Sequence, residues 1–275
     1  MLRRIYYSLG PSYRLLARRL VFFPIDMIDV LRGKKQPMVP PRGLIYTGSG
    51  DFVKTGDYFR DLFIKHGGLK PEHRVLDIGS GIGRMARPLT SYLSDEGSYE
   101  GFDLVSTGVK WCKKNISSKY PNFKFRKTTL YNDLYTSGGI KAEKFIFPYK
   151  ENEFDFVFLI SVFTHMLPDE VENYVKEIKR VLKNGGRCFA TFFILNETSL
   201  NSMKPGKFYF PEDHGHYRLM DKRVQSANVA YNEKYITDEL INKNQLKIKK
   251  VVYGYWHGAK DAEQISFQDI VVFEK

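Results

Sequence analysis

Short apolar runs alternate with amphipathic stretches along most of the chain. Asp57 to His66 carries Tyr58, Leu62 and Phe63 on one side, the spacing of a short helix. Arg74 to Ile78 is a brief apolar run that stops abruptly in glycines, which predicts a buried strand. Arg84 to Leu93 reads as a helix and Tyr99 to Phe102 as a strand. Thr107 to Ile116 is a helix with Val109, Cys112 and Ile116 inward, and Phe123 to Phe125 a short third strand. Phe156 to Ser161 has no charge, and none follows until Asp169, as expected of a central parallel strand covered on both faces. Asp169 to Leu182 gives the clearest helical stripe, from Val171, Tyr174, Val175, Ile178, Val181 and Leu182. Gly185 and Gly186 read as its stop signal, and Arg187 to Leu195 as another strand.

This alternation predicts an α/β fold with a doubly wound, mostly parallel sheet. The tail departs from it. Asp238 to Asn242 is helical, but Leu246 to Tyr253 and Ile270 to Phe273 are two strands with no helical pattern between them, so they should pair antiparallel at a sheet edge. Residues 37 to 56 are rich in Pro and Gly and read as a linker or a wrapping loop. The expected organisation is an N-terminal arm, residues 1–42, followed by one domain, residues 43–275. Within that domain residues 196–234 are too long for a simple loop and form a cap.

Charge sharpens this division. The net charge is +12, yet residues 1–42 hold nine Arg or Lys against only Asp26 and Asp29, a net of +7. A basic arm, rather than a uniformly basic nucleic-acid surface, carries the excess. No uncharged run in it, Leu20 to Ile25 included, approaches the ~20 residues a spanning helix needs. Arg14, Arg18 and Arg19 interrupt any signal-peptide core. Tyr13, Leu16, Leu20 and Phe23 recur at helical spacing, and Pro24 should end the helix. Three readings stay open: a helix lying on an anionic membrane, a helix packed on the domain, and a targeting peptide. Only Cys112 and Cys188 occur, which excludes a disulfide scaffold and a four-thiolate metal site; both read as core thiols in a reducing, cytoplasmic compartment.

The decisive segment runs Val75-Leu76-Asp77-Ile78-Gly79-Ser80-Gly81-Ile82-Gly83-Arg84. A buried strand ends at an acid, three glycines follow at alternate positions, and a helix begins. Glycines let a backbone approach a ligand where a side chain would intervene, and a helix start offers free N–H groups. The dinucleotide fingerprint would place its third glycine where Arg84 stands. Asp103, at the end of the second strand, is positioned to accept both hydroxyls of a ribose.

These residues, with Phe154-Asp155-Phe156 and Leu182-Lys183-Asn184-Gly185-Gly186, resemble the Rossmann-like, seven-stranded S-adenosylmethionine (SAM)-dependent methyltransferases. The resemblance implies SAM as cofactor, S-adenosylhomocysteine as product, and no metal. It implies that Gly79, Ser80, Gly81, Gly83 and Arg84 cradle the methionine part, Asp77 lies beside its amino group, Asp103 holds the ribose and Leu104 packs on adenine. The family usually has an acid after the third strand; this chain has Thr128-Thr129-Leu130, so Thr129 and Leu130 are expected at the adenine. Ser161, at the end of the fourth strand, completes the expected cofactor set. In Tyr46 to Phe52 two glycines flank polar groups, and two readings stay open: a segment that folds over the cofactor and an ordinary surface turn.

Methyltransferases acting on exocyclic nitrogens carry a Pro-Pro-aromatic motif after the fourth strand; this chain has Ser161-Val162-Phe163-Thr164. No Pro-Cys nucleophile and no catechol-type carboxylate set is present either. The expectation is therefore O-methylation, by in-line displacement, of a small-molecule, sugar or lipid-linked acceptor in a pocket built by the cap. His165, His214 and His216 are the candidate bases; His66, His73 and His257 receive no role. The competing readings are a non-catalytic SAM-binding partner module and an RNA methyltransferase, the second disfavoured because nucleic acid has little basic surface beyond the arm to bind.

Overall fold

The computed structural model describes residues 11–34, 36–48, 50–130, 138–206, 208–259 and 264–275. Helix α1, Pro11–Leu31, leads to a 3₁₀ turn at Arg42–Leu44, and α2, Phe52–Leu62, follows, extended by a wider turn over Phe63–Gly67. The core of the fold then runs β1 (Arg74–Ile78), α3 (Ala86–Leu89), β2 (Ser98–Asp103), α4 (Ser106–Cys112), β3 (Phe123–Lys127), β4 (Phe154–Leu159), α5 (Pro168–Val181) and β5 (Leu182–Phe192). Next come β6 (Ile194–Leu195), α6 (Glu197–Ser202), β7 (Glu212–Asp213), β8 (Tyr217–Leu219), β9 (Val229–Asn232) and α7, the wide helix Tyr235–Asn242. Strands β10 (Lys247–Val252) and β11 (Asp269–Glu274) close the chain.

Seven strands form the main sheet in the order β10-β11-β5-β4-β1-β2-β3. The five strands from β5 to β3 are mutually parallel, while β11 runs antiparallel to both β5 and β10. The α/β architecture and the antiparallel edge are those the sequence predicts. Alternation along β4 sorts its side chains between two cores. Phe154, Val157 and Leu159 pack with the Val171–Val181 stripe of α5. Phe156 and Phe158 pack under α2 against Phe63 and Leu62. Because β1 neighbours β2 on one side and β4 on the other, the chain reverses its winding there and leaves a crevice at the carboxyl ends of these strands.

Several boundaries differ from the sequence reading, each for a physical reason. Helix α2 starts earlier, at Phe52, because Asp51 accepts the Lys54 N–H at 2.8 Å and caps it. Only Ala86–Leu89 of the expected Arg84–Leu93 helix is helical; a glycine-rich turn precedes it and Pro88 lies within it. Gly185 and Gly186 do not stop α5. That helix ends at Val181, and the glycines form the irregular start of β5, with Gly185 at φ 77°. Nor does Pro24 end α1, which continues to Leu31: the Asp26 carboxylate, two residues on, accepts the N–H groups of Arg42 (2.8 Å) and Gly43 (3.1 Å) and ties the helix to the 3₁₀ turn.

Residues 196–234 supply most of a second, four-stranded sheet in the order β6-β9-β8-β7. A small third core lies beside it: Phe193, Leu195, Phe210, Ala230 and Trp256.

Candidate active site

The crevice at the switch point opens into a single cleft of about 1920 Å³. One end is the turn after β1. Gly79, Gly81 and Gly83 all have positive φ (80°, 57° and 78°), a region where a side chain is strained. The three do not play one role. A Cβ on Gly79 would stand 2.7 Å from Val162 Cγ2, and Gly81 faces Thr47 across the cleft. Gly83 instead faces the core, where a Cβ would meet Ile116 Cδ1 at 2.8 Å and Cys112 Sγ at 2.9 Å. Gly83 therefore does not line the cleft, and its expected place in the cradle is corrected to a packing role under α4.

Two buried acids lie beneath the turn. Asp103 accepts the Gly81 N–H through Oδ2 (2.8 Å) and the Val105 N–H through Oδ1 (2.7 Å), bracing both loops while lining the cleft. Burial raises its pKa, and these N–H groups oppose the rise. Asp77 accepts from the Tyr99 hydroxyl at 2.5 Å. Its carboxyl is pushed up to about 8, chiefly by burial, against the pull of Tyr99 and with a further push from Asp103.

The segment Tyr46-Thr47-Gly48 lines the cleft opposite the turn. Arg84 holds it there: its Nη2 donates to Thr47 O at 2.6 Å, and the guanidinium lies over the Phe52 ring at 5.5 Å. Burial lowers the Arg84 pKa. Leu104, Ser80, Leu130 and Ser161 also line the cleft. Thr129 does not; it is exposed, and Thr128, buried beside it, faces inward instead. Ser161 has φ 58°, unusual for a residue with a side chain; its N–H donates to Thr191 Oγ1 (2.8 Å) and its hydroxyl to Gln268 Oε1 (2.9 Å).

The cleft fits SAM by two observations. Gly79 and Gly81 line the cleft at positive φ, so backbone without a side chain faces a ligand there. Ser80 Oγ, Arg84 Nε and Thr128 Oγ1, all of cleft-lining residues, are buried without a hydrogen-bond partner, the sort of deficit a polar ligand repairs. Among the described residues no group of three or more His, Cys, Asp or Glu is placed to hold a metal ion. Cys112 and Cys188 are free thiols buried in the two cores.

The other end of the cleft is aromatic. Phe193, Phe208, Tyr255, Trp256 and Phe267 line it, with Tyr58 and Ile265 exposed at the rim. Asp269 ties this wall to the sheet by accepting from Trp256 Nε1, Gly254 N and Ile194 N at 2.6–2.7 Å. Tyr255, Trp256 and Phe267 lie between β10 and β11, in sequence with no periodic pattern, whereas Phe208 belongs to the expected cap and Phe193 follows β5. His257 belongs to it and is buried; burial lowers its pKa.

Of the three candidate bases, only His165 lines the cleft, on the short turn Phe163–His165. His214 and His216 are exposed on the β7–β8 hairpin, His214 stacked on Tyr217 and His216 against Tyr235, and neither lines the cleft. Hairpin geometry explains this: Gly215, at φ 81°, turns the chain tightly between them.

Residues 76–190 match the family model for a methyltransferase domain. Over 236 residues the chain is 24% identical to the uncharacterized methyltransferase YcgJ of Bacillus subtilis (strain 168), covering 82% of this chain and 74% of that protein. It is 31% identical over 119 residues to sterol 24-C-methyltransferase erg6 of Schizosaccharomyces pombe (strain 972 / ATCC 24843), which covers 43% of this chain and only 27% of that protein. Among solved structures, the PH0226 protein from Pyrococcus horikoshii OT3 shares the fold with a TM-score of 0.55 at 17% identity, over 84% of this chain and 94% of that one. Fold and cleft thus define the Rossmann-like methyltransferase class. Residues 76–190 form a methyltransferase domain of the Rossmann-like, SAM-dependent kind, and the chain is an enzyme of that type.

Proposed function

We propose that the protein O-methylates a small hydrophobic acceptor of the lipid or lipid-linked class. One observation carries this reading: the glycine turn and the aromatic wall of Phe193, Trp256 and Phe267 share one cleft, and its rim bears exposed Tyr58, Tyr255 and Ile265. Such a wall desolvates an apolar acceptor. The S. pombe relative is named for a sterol substrate, which supports the lipid acceptor class, and for transfer to carbon, the outcome that the test below separates from transfer to oxygen. Residues 196–234 act as the cap in this reading, since Asn201, Phe208 and Asn228 line the cleft.

SAM supplies a methyl group already activated as a sulfonium. The protein's share is then to align the acceptor for in-line displacement and to exclude water, worth up to ~7–11 kcal/mol. Asp77 and Asp103 are the groups for the cofactor's amino end and ribose, with Gly79, Ser80, Gly81, Arg84, Leu104, Thr128, Leu130 and Ser161 around them. His165 takes the acceptor hydroxyl proton. Its Nδ1 lies 2.8 Å from Ser226 O, so Nδ1 carries the hydrogen and the basic lone pair falls on Nε2.

The test is transfer from methyl-labelled SAM to a total lipid extract, to aqueous metabolites and to RNA in parallel. Label should enter the organic phase as a methyl ether. His165→Gln should lower turnover by ~10²–10⁴-fold with S-adenosylhomocysteine affinity unchanged. Label in RNA or the aqueous phase, or a methyl on carbon, would refute the reading.

A further inference from the structure

Helix α1 is built inside out. Among its residues whose side chains are described, Ala17, Arg18, Phe22, Asp26 and Asp29 are half-buried, and all but Ala17 share one side. That side meets the protein through polar contacts. Asp26 accepts from the backbone of Arg42 and Gly43, Asp29 pairs with Arg42 at 3.0 Å, and Arg18 lies over Phe22 and donates to Arg42 O. The side turned away is apolar: Leu31 is 81% exposed, Leu20 68%, Tyr13 67%, Phe23 61%, and Leu16 and Met27 are exposed with them. A surface helix of a globular protein has the opposite arrangement.

At 3.6 residues per turn these six side chains fall within a quarter of the circumference, and no charged residue falls within about 180° around them. Arg19 borders that arc on one side and Arg32 on the other, both exposed. Arginines that flank an apolar arc can keep their charge at a polar boundary while the arc is buried. Among the described residues no helix is long and apolar enough to cross a membrane.

We infer that α1 lies in the plane of an anionic bilayer, its apolar arc among the acyl chains and the flanking Arg19 and Arg32 among the phosphates. Charge decides between possible occupants. The arm of residues 1–42 carries +7, which anionic lipid complements, whereas a second copy would bring the same charge against itself. The placement also bears on the cleft. The turn Arg42–Leu44 that grips α1 is followed directly by Tyr46-Thr47-Gly48 in the cleft wall, and Gly43 approaches so closely that a Cβ there would stand 3.0 Å from Arg19 Cα. Docking α1 therefore sets the cleft beside the membrane surface. This last step rests on the lipid-acceptor reading; the docking does not.

Vesicle flotation with the full chain tests it, using phosphatidylcholine alone and phosphatidylcholine mixed equally with phosphatidylglycerol. The protein should float with the mixed vesicles and bind neutral ones at least about tenfold more weakly. A Leu20→Glu, Phe23→Glu double variant should lose at least about tenfold in binding to the mixed vesicles, and Arg19→Glu with Arg32→Glu should erase the preference for anionic lipid. Unchanged S-adenosylhomocysteine affinity and melting temperature show that the variants fold. Equal flotation by the variants, no flotation by the parent protein, or a lipid-free dimer that Leu20→Glu, Phe23→Glu abolishes would each overturn the inference. Vesicle binding by a protein that methylates only water-soluble acceptors would leave the docking intact and remove the lipid acceptor alone.

Discussion

The Tyr99 hydroxyl donates to Asp77 Oδ2 at 2.5 Å, at the bottom of the cleft and almost wholly out of water. With its carboxyl pushed up to about 8, Asp77 is mostly protonated at pH 7 when no ligand is bound. The folded value lies above the unfolded 3.8, so this group's contribution to stability is complete below the unfolded value and is lost as pH rises through about 8. A cationic amino group beside it reverses the preference. S-adenosylhomocysteine binding should then release close to one proton at pH 7 and tighten as pH rises toward 8. Calorimetry in buffers of different ionisation enthalpy measures the release. Asp77→Asn should abolish it, and a parent protein that releases none would refute the assignment.

Asp103 does two jobs at once, which separates two substitutions. Its carboxylate braces Gly81 and Val105 and also faces the cleft. Asp103→Ala removes a charged acceptor from both, and S-adenosylhomocysteine affinity should fall by roughly 1–3 kcal/mol, with a lower melting temperature. Asp103→Asn keeps one acceptor oxygen for the loop and should recover part of the melting temperature with less of the affinity. Equal recovery of both would make Asp103 a loop brace only.

What could be read from the sequence follows from which signals are local. The acid–glycine turn and Asp103 stood out because apolar runs frame them, and a strand that stops at a carboxylate is visible without any partner. Thr129 shows the opposite case. Phe123 and Phe125 are buried and Lys124 and Arg126 exposed, and continuing that alternation turns 127 and 129 inward. The strand ends at Lys127, the phase slips by one residue, and Thr128 and Leu130 face the cleft. The aromatic wall was hidden for another reason. Phe193, Trp256 and Phe267 are brought together by β11 inserting beside β5, a pairing over long sequence separation that no window of residues contains. Pro24 misled because its helix-breaking tendency is local, whereas the grip of Asp26 on Arg42 and Gly43 is not.

The three glycines of the turn should respond differently to a single methyl group. Gly79→Ala and Gly83→Ala both place a side chain at positive φ, each costing about 1–3 kcal/mol, or a few degrees of melting temperature. Gly83→Ala adds a clash with Ile116 and Cys112 in the core, so it should lose more stability and little ligand affinity per folded molecule. Gly79→Ala presses on Val162, which lines the cleft, and should weaken S-adenosylhomocysteine binding even where the protein is fully folded. Thermal melts with and without ligand separate the two effects. Equal loss of affinity in both variants would put Gly83 back in the cradle.

Asp269 is the group on which the acceptor wall hangs. It is almost wholly buried, and Trp256 Nε1, Gly254 N and Ile194 N all point at its carboxylate. Asp269→Ala leaves three buried donors unpaired at ~1–3 kcal/mol each, enough to threaten folding. Asp269→Asn is the gentler probe: it keeps the shape and one acceptor oxygen, but its amide group meets N–H donors head-on. The chain has only two tryptophans, so a Trp111→Phe background leaves Trp256 as the sole reporter. There Asp269→Asn should shift the Trp256 emission to longer wavelength and open it to quenching by acrylamide, while S-adenosylhomocysteine affinity holds. An unchanged spectrum would mean that ring packing against Phe193 and Phe210 holds the wall without Asp269.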